Sequence, residues 1–388
     1  MDVRLAQELM GARNIDALVV SSPENVLYTT GLNITHTVSN RSVWLDVINA
    51  PIVPVIPRDG EPWIVIPESA IEICQEFSLI KDIRPYKGGI YKIWPPELKV
   101  RTYELEPIEV VAKVLEEKGI TSGNIGIETE TVVHQHYEKL AKRLPQVTLV
   151  SGTPILNELR SVKSPDEINR LRKAAQITER AMAAAADIIR PGATELDLIR
   201  EWKMSVVKDG GDWQHATIAA GPVHSAATTA IHTSYALKKG DVVRMDTGAV
   251  WNGYSSDITR CYAVGAASKE FKDLYVVLLE AEAAMLELVR PGTVISDIYS
   301  TGEQIVRKAG YPEYRRRNLG HSIGIRVVEE PIIGPTSSSE LKPNMVVAVE
   351  VPIYFAGKVG LSVEDIVLVT EDGKELFSKL PREIMVAG

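Results

Sequence analysis

The chain has 388 residues, 45% of them hydrophobic and 24% charged, with a formal charge of −8 at pH 7 and a pI near 5.6. That length suffices for two domains and a sizeable core. The acidic balance, with Arg315-Arg316-Arg317 as its one short basic run, argues against a nucleic-acid partner.

No stretch of 18 apolar residues exists to span a membrane, and the N-terminus reads as an amphipathic helix start without an apolar leader core. Cys74 and Cys261 are too few and too far apart for a disulfide framework. Buried, inert thiols in a reducing cytoplasm are the expectation.

Residues 1–155 alternate helix and strand and predict an α/β domain. Helical spacing covers residues 3–13. Ala17-Leu18-Val19-Val20 forms a short buried strand, and Ser21 to Asn25 reads as a turn. Strands follow at 51–57 and 63–67. A helix spans 107–118 with Pro107 in its first turn, where a missing N–H costs nothing, and a strand covers 125–127. His134 and His136, two apart on a helix, fall on different faces and read as surface histidines.

Around residues 153–163 the chain passes into a second domain, assigned to 156–388. Ser164 suits an N-cap, Pro165 the first helical position and Glu167 a capping box. A long helix follows. An internal repeat then appears at an offset of 100. Arg190-Pro191-Gly192 recurs as Arg290-Pro291-Gly292, each after an Ala-rich helix (179–189 and 280–289). Asp197, Val206, Lys208 and Gly210 recur as Asp297, Val306, Lys308 and Gly310.

Each half ends in a predicted hairpin carrying two acids. Asp246 follows a Val-rich run, and Asp257 comes four residues after Gly253 and two after Ser255. Glu350 and Glu364 repeat this arrangement with Gly360 and Ser362. Paired strands with a period-2 pleat let two acids per hairpin face one way. If the halves pack about a pseudo-two-fold axis, Asp246, Asp257, Glu350 and Glu364 converge. Carboxylates that close cannot all stay ionised without a cation. Asn318-Leu319-Gly320-His321-Ser322-Ile323-Gly324 offers His321 as a fifth ligand. An oxygen-rich set with one imidazole suits two divalent ions chosen from Mn, Co, Fe or Zn.

These motifs resemble the metal-ligand motifs of the pita-bread metallopeptidases, in the prolidase, aminopeptidase P and creatinase branch. The carriers are Asp246-Thr247-Gly248, 253–260, 320–324, Glu350 and Val363-Glu364-Asp365; residues 17–31 and 163–167 are similar to the same group. The resemblance implies an α+β chain with a C-terminal pita-bread domain of two duplicated halves, behind a smaller creatinase-type α/β domain. It implies that Asp246 binds one metal, that His321 and Glu350 bind the other, and that Asp257 and Glu364 bridge them. The implied chemistry is hydrolysis of a C–N amide bond in a dipeptide or similar small substrate, with Glu350 as general base. A homodimer is implied, with a neighbour's loop at the pocket, for which residues 91–96 with Trp94 are a candidate.

Four departures bear on the substrate. The histidine expected seven residues after His321 is Val328. The position two before Glu364, often Arg in the group, is Ser362. Val351-Pro352 follows Glu350 where Pro-Gly is common. The upstream pocket histidine is best matched by His232, which sits closer to Asp246 than usual, with His224 and His215 as rivals. Other outcomes of the same resemblance are hydrolysis of a non-peptide C–N bond as in creatine or ectoine, a sulfonium lyase, and a non-catalytic interaction module.

Overall fold

The computed structural model describes residues 1–33, 51–88, 102–228 and 230–388; the candidate loop at 91–96 lies outside them. The chain forms two compact units, Met1–Arg160 and Ser161–Gly388.

The first unit is built on a six-stranded sheet of β1 (Ala17–Val19), β2 (Val53–Pro57), β3 (Trp63–Pro67), β4 (Asp82–Tyr86), β5 (Gly123–Ile127) and β6 (Val147–Ser151). The order is β4-β3-β2-β1-β5-β6. β2 runs antiparallel to both neighbours, and the remaining pairs are parallel. Helix Pro107–Glu117 starts with Pro107 in its first turn and a Glu106/Glu109 capping box. It buries Ile108, Val110, Val111, Val114 and Leu115 against Val19, Val55, Trp63 and Ile125. Each such side chain contributes about 1.5–3 kcal/mol on burial.

His134 opens helix His134–Arg143 and is exposed, while His136 is half-buried, which lowers its pKa. The expected turn at 21–25 is instead the start of helix Pro23–Thr30, with Ser22 as N-cap. The buried Glu128 carboxylate accepts from Ser21 N, Ser22 N and Asn25 Nδ2 at 2.5, 2.8 and 2.6 Å. Ser22 Oγ accepts from Asn25 N, which caps the first turn, and Glu128 ties down the residues at its start, so the segment is helical where a turn was expected.

The second unit repeats itself as the sequence does. Helix Pro165–Asp187 begins with the Ser164/Glu167 capping box, and helix Glu195–Lys208 follows. Their counterparts are Lys269–Glu287 and Ile295–Lys308. The ten-stranded sheet contains β7 (Asp212–Ala220), β8 (Val242–Trp251), β9 (Tyr254–Ser255), β10 (Ile258–Val264), β11 (Gly320–Ser322), β12 (Glu329–Ile332), β13 (Val346–Phe355), β14 (Val359–Val369), β15 (Lys374–Leu376) and β16 (Met385–Ala387). The main path is β12-β11-β13-β14-β10-β8-β7.

The two hairpins meet where β10 pairs antiparallel with β14, as a two-fold relation between the halves requires. In β13 the pleat sends Val347, Val349 and Val351 into the core with Leu274, Leu278 and Met285 of helix Lys269–Glu287. Glu350 therefore faces the opposite side. Both cysteines are free and buried, and burial pushes each thiol up to about 11. Among the described residues no helix is long and apolar enough to cross a membrane.

Candidate metal centre

The antiparallel registers assemble the acids in a row across the sheet. Asp246 on β8 lies opposite Thr259 on β10, Thr259 opposite Glu364 on β14, and Glu364 opposite Glu350 on β13. Cross-strand partners project to the same face. An adjacent row holds His215, opposite Gly248 on β8, and His321, opposite Ala348 on β13. Gly248 and Ala348 are each two residues from an acid and so share its face. Both histidines sit at irregularities of their ladders, between Trp213 and His215 and between His321 and Ser322. Such breaks re-aim a side chain.

Asp257, just ahead of β10, stands between the two histidines. His215 Nε2 lies 2.9 Å from Asp257 Oδ1 and 3.5 Å from Asp246 Oδ1. His321 Nε2 lies 3.7 Å from Asp257 Oδ2 and 4.0 Å from Glu364 Oε1. One ligand atom each from His215, Asp246 and Asp257 fall within 4.8 Å of one another, as do those of Asp257, His321 and Glu364. Asp257 belongs to both groups. Glu350 belongs to neither and is placed by its register opposite Glu364. His321 Nδ1 is 3.0 Å from the Ser322 carbonyl, an oxygen that can only accept. Nδ1 therefore carries a proton, and Nε2 is the ring nitrogen aimed at the acids.

Two glycines make the approach possible. A Cβ on Gly248 would lie 1.9 Å from Ser256 O and 2.6 Å from His215 Cε1, and one on Gly320 would lie 2.1 Å from Ala348 O. Lys163, which the sequence marks only as part of an inter-domain entry, is buried. Its Nζ donates to Ser322 Oγ at 2.9 Å and lies 3.8 Å from Glu329 Oε2, bracing the segment that carries His321.

The electrostatics fit a cation. Burial, then the charges of Asp246 and Asp257, push the Glu350 carboxyl up to about 8. Burial, with Asp257 and Glu350 beside it, drives Glu364 well above the carboxylate range. Burial alone would lower the His215 imidazole, but Asp257 and Asp246 raise it to about 10. Burial alone would likewise raise Asp246, yet His215 and Arg244 hold it below its usual value. Glu364 Oε2 accepts from Thr259 Oγ1 at 2.8 Å, while its Oε1 is buried without a hydrogen-bond partner. Crowded carboxylates that take up protons, beside an orphaned oxygen and an imidazole nitrogen, form a donor set suited to divalent cations.

The other histidines lie outside this cluster. His232 Nε2 accepts from Ile218 N at 3.3 Å. His224 Nδ1 is 3.0 Å from Glu195 Oε1, a fully buried carboxylate that also accepts from Ala220 N. His215, a rival in the sequence, is the histidine that meets the acids. The family resemblance points to His232 despite its short spacing to Asp246; the β7–β8 register that brings His215 in is a tertiary pairing with no local signal. Val328 is 50% exposed, and Ser362 is buried.

The duplicated fold and this gathering of carboxylates and imidazoles define a metalloenzyme of hydrolytic type. The chain belongs to metallopeptidase family M24, whose model matches residues 169–371, and its first unit matches the Creatinase/Prolidase N-terminal domain over residues 3–162. The metallopeptidases of this family are dinuclear divalent-metal enzymes. A probable dipeptidase, PepE, of Mycobacterium tuberculosis is 29% identical, covering 93% of this chain and 91% of its own. An Xaa-Pro dipeptidase of Pyrococcus furiosus is 26% identical, covering 97% of each. The crystal structure of a dipeptidase from Pyrococcus horikoshii superposes with a TM-score of 0.85 at 25% identity, over 100% of both chains. The expected pita-bread architecture with a creatinase-type N-terminal domain is therefore borne out.

Proposed function

We propose that the chain is a dinuclear metal-dependent hydrolase cleaving the amide bond of small peptides, with Xaa-Pro dipeptides as its leading substrates. The observation that carries this reading is Asp257, buried and shared by two groups of metal-binding atoms. The printed activities of the dipeptidase relatives support the substrate class.

In this reading Asp246, Asp257, His321, Glu350 and Glu364 would together hold two divalent ions; Mn, Co, Fe and Zn all suit the donors. When bound, the ions supply Lewis acidity that polarises the scissile carbonyl and acidifies a water. Glu350 takes the proton of the attacking water on a carboxylate oxygen and passes it to the leaving nitrogen. His215 fixes Asp246 and Asp257 through Nε2. His232, hydrogen-bonded at Ile218 beside the strand position facing Asp246, is a further histidine for the substrate side of the pocket. The cytoplasm suits the two free thiols, and a homodimer is the assembly to test by sedimentation.

Assay of the Mn2+-loaded protein against Xaa-Pro dipeptides and matched proline-free dipeptides tests the reading. Turnover of Xaa-Pro substrates is expected. Metal-loaded protein that cleaves no peptide would overturn the peptidase assignment.

A further inference from the structure

Arg244 is fully buried and lies two residues before Asp246 on β8, hence on the same face of the sheet. A guanidinium taken out of water is costly unless its donors are met, and here they are. Nη1 donates to Asp246 Oδ2 at 2.9 Å, Nε to Ser225 O at 3.2 Å and Nη2 to Ala227 O at 2.7 Å. Its Cζ stands 5.2 Å from the centroid of the Tyr354 ring, which also carries Arg316 at 5.3 Å.

With His215 at Oδ1 and Arg244 at Oδ2, Asp246 is gripped on both oxygens. The plane and rotation of that carboxylate are thus set by its two partners. Arg244 lies opposite Cys261 on β10. The β10–β14 register through Thr259 and Glu364 continues to place Cys261 opposite Ser362, whose carbonyl O is 3.4 Å from Cys261 Sγ. Arg244, Cys261 and Ser362 therefore form the row next to the acids. In that row Cys261 and Ser362 are small side chains, which leaves the guanidinium room to stack on Tyr354.

We propose that Arg244 is the positioning residue of the metal centre: it holds the Asp246 carboxylate in one orientation, and position 362 on β14 is an alternative root from which a guanidinium would do the same. This rests on Asp246 being a metal ligand. Arg244 acts through Asp246 and, through the Ser225 and Ala227 carbonyls, holds the segment after helix Gly221–His224 beside the site.

The experiment is calorimetric titration of metal-free protein with Mn2+ alone, alongside thermal unfolding, for wild type, Arg244→Met, Arg244→Met with Ser362→Arg, and Arg244→Met with Ser362→Met. Arg244→Met is expected to weaken one of two Mn2+ binding steps by roughly 10–100-fold, the range for loss of a partner that orients a ligand. The Ser362→Arg double variant is expected to recover most of that loss and the Ser362→Met double variant none, a distinction that a merely structural role would not produce. Should Arg244→Met fail to fold, a folded, Mn2+-binding Arg244→Met/Ser362→Arg protein gives the same support. Wild-type-like Mn2+ binding by Arg244→Met, or a loss that Ser362→Arg does not restore, overturns the proposal while leaving the metal reading intact. Absence of Mn2+ binding in the wild type overturns that reading and this inference with it.

Discussion

Asp257 and Gly248 show how much of the site depends on single side chains. Asp257 joins the two groups of ligand atoms, so Asp257→Ala is predicted to strip metal from both. Turnover should then fall by more than the roughly 10–100-fold that follows loss of an outer partner; metal analysis and kcat measured together check this, and unchanged values would refute the assignment. Gly248 acts by what it lacks. Gly248→Ala places a methyl 2.6 Å from His215 Cε1 and 1.9 Å from Ser256 O, so it should displace His215 and impair catalysis at least as much as His215→Ala. Equal activity of wild type and His215→Ala would make that histidine idle. At this scale the sequence was legible where chemistry repeats: Asp246, Asp257, Glu350 and Glu364 stand out because two halves carry them in matching places. His215 carries no such mark. Its role comes from a strand register closed across some thirty residues of intervening chain, which one sequence does not encode locally.

Among the elements, helix starts were readable when their caps are made of local atoms. Ser164, Pro165 and Glu167 form the capping box their spacing suggests, and Ser164→Ala should cost about 1 kcal/mol in chemical denaturation. Ser22-Pro23-Glu24 begins a helix by the same logic, with Ser22 Oγ accepting from Asn25 N, but without a capping box, and a further anchor, Glu128, lies more than a hundred residues away. The face of the sheet away from the acids carries its own buried charges. Arg260 Nη2 meets Asp365 Oδ1 at 2.6 Å, and Arg382 Nε meets Asp365 Oδ2 at 2.5 Å. Glu282, from helix Lys269–Glu287, has both carboxylate oxygens buried without hydrogen-bond partners. Burial first, and Asp365 second, raise its pKa well above the carboxylate range. Its folded pKa exceeds its unfolded one, so this group favours the fold at low pH and disfavours it progressively as pH rises above the unfolded value. Glu282→Gln should therefore stabilise the protein more at about pH 8 than at about pH 5. Thermal unfolding at the two pH values decides it; a larger gain at the lower pH would contradict the account.

Over the whole second unit, duplication explains the site. Two helices and a hairpin recur, β10 pairs with β14 at the junction, and carboxylates from both halves come to one row. Neither half holds a complete set of donors, so metal binding and the packing of the halves should be linked. Removal of metal is accordingly expected to lower the unfolding temperature as well as activity. What the chain's pattern left open is the substrate, because Val328 and Ser362 differ from the resembled pattern beside an intact set of acids. The most direct test of the central claim is stepwise return of Mn2+ to chelated protein while hydrolysis of an Xaa-Pro dipeptide is followed. The account predicts no turnover without metal and activity that rises until two ions are bound per chain. Full turnover by the chelated, metal-free protein would contradict it.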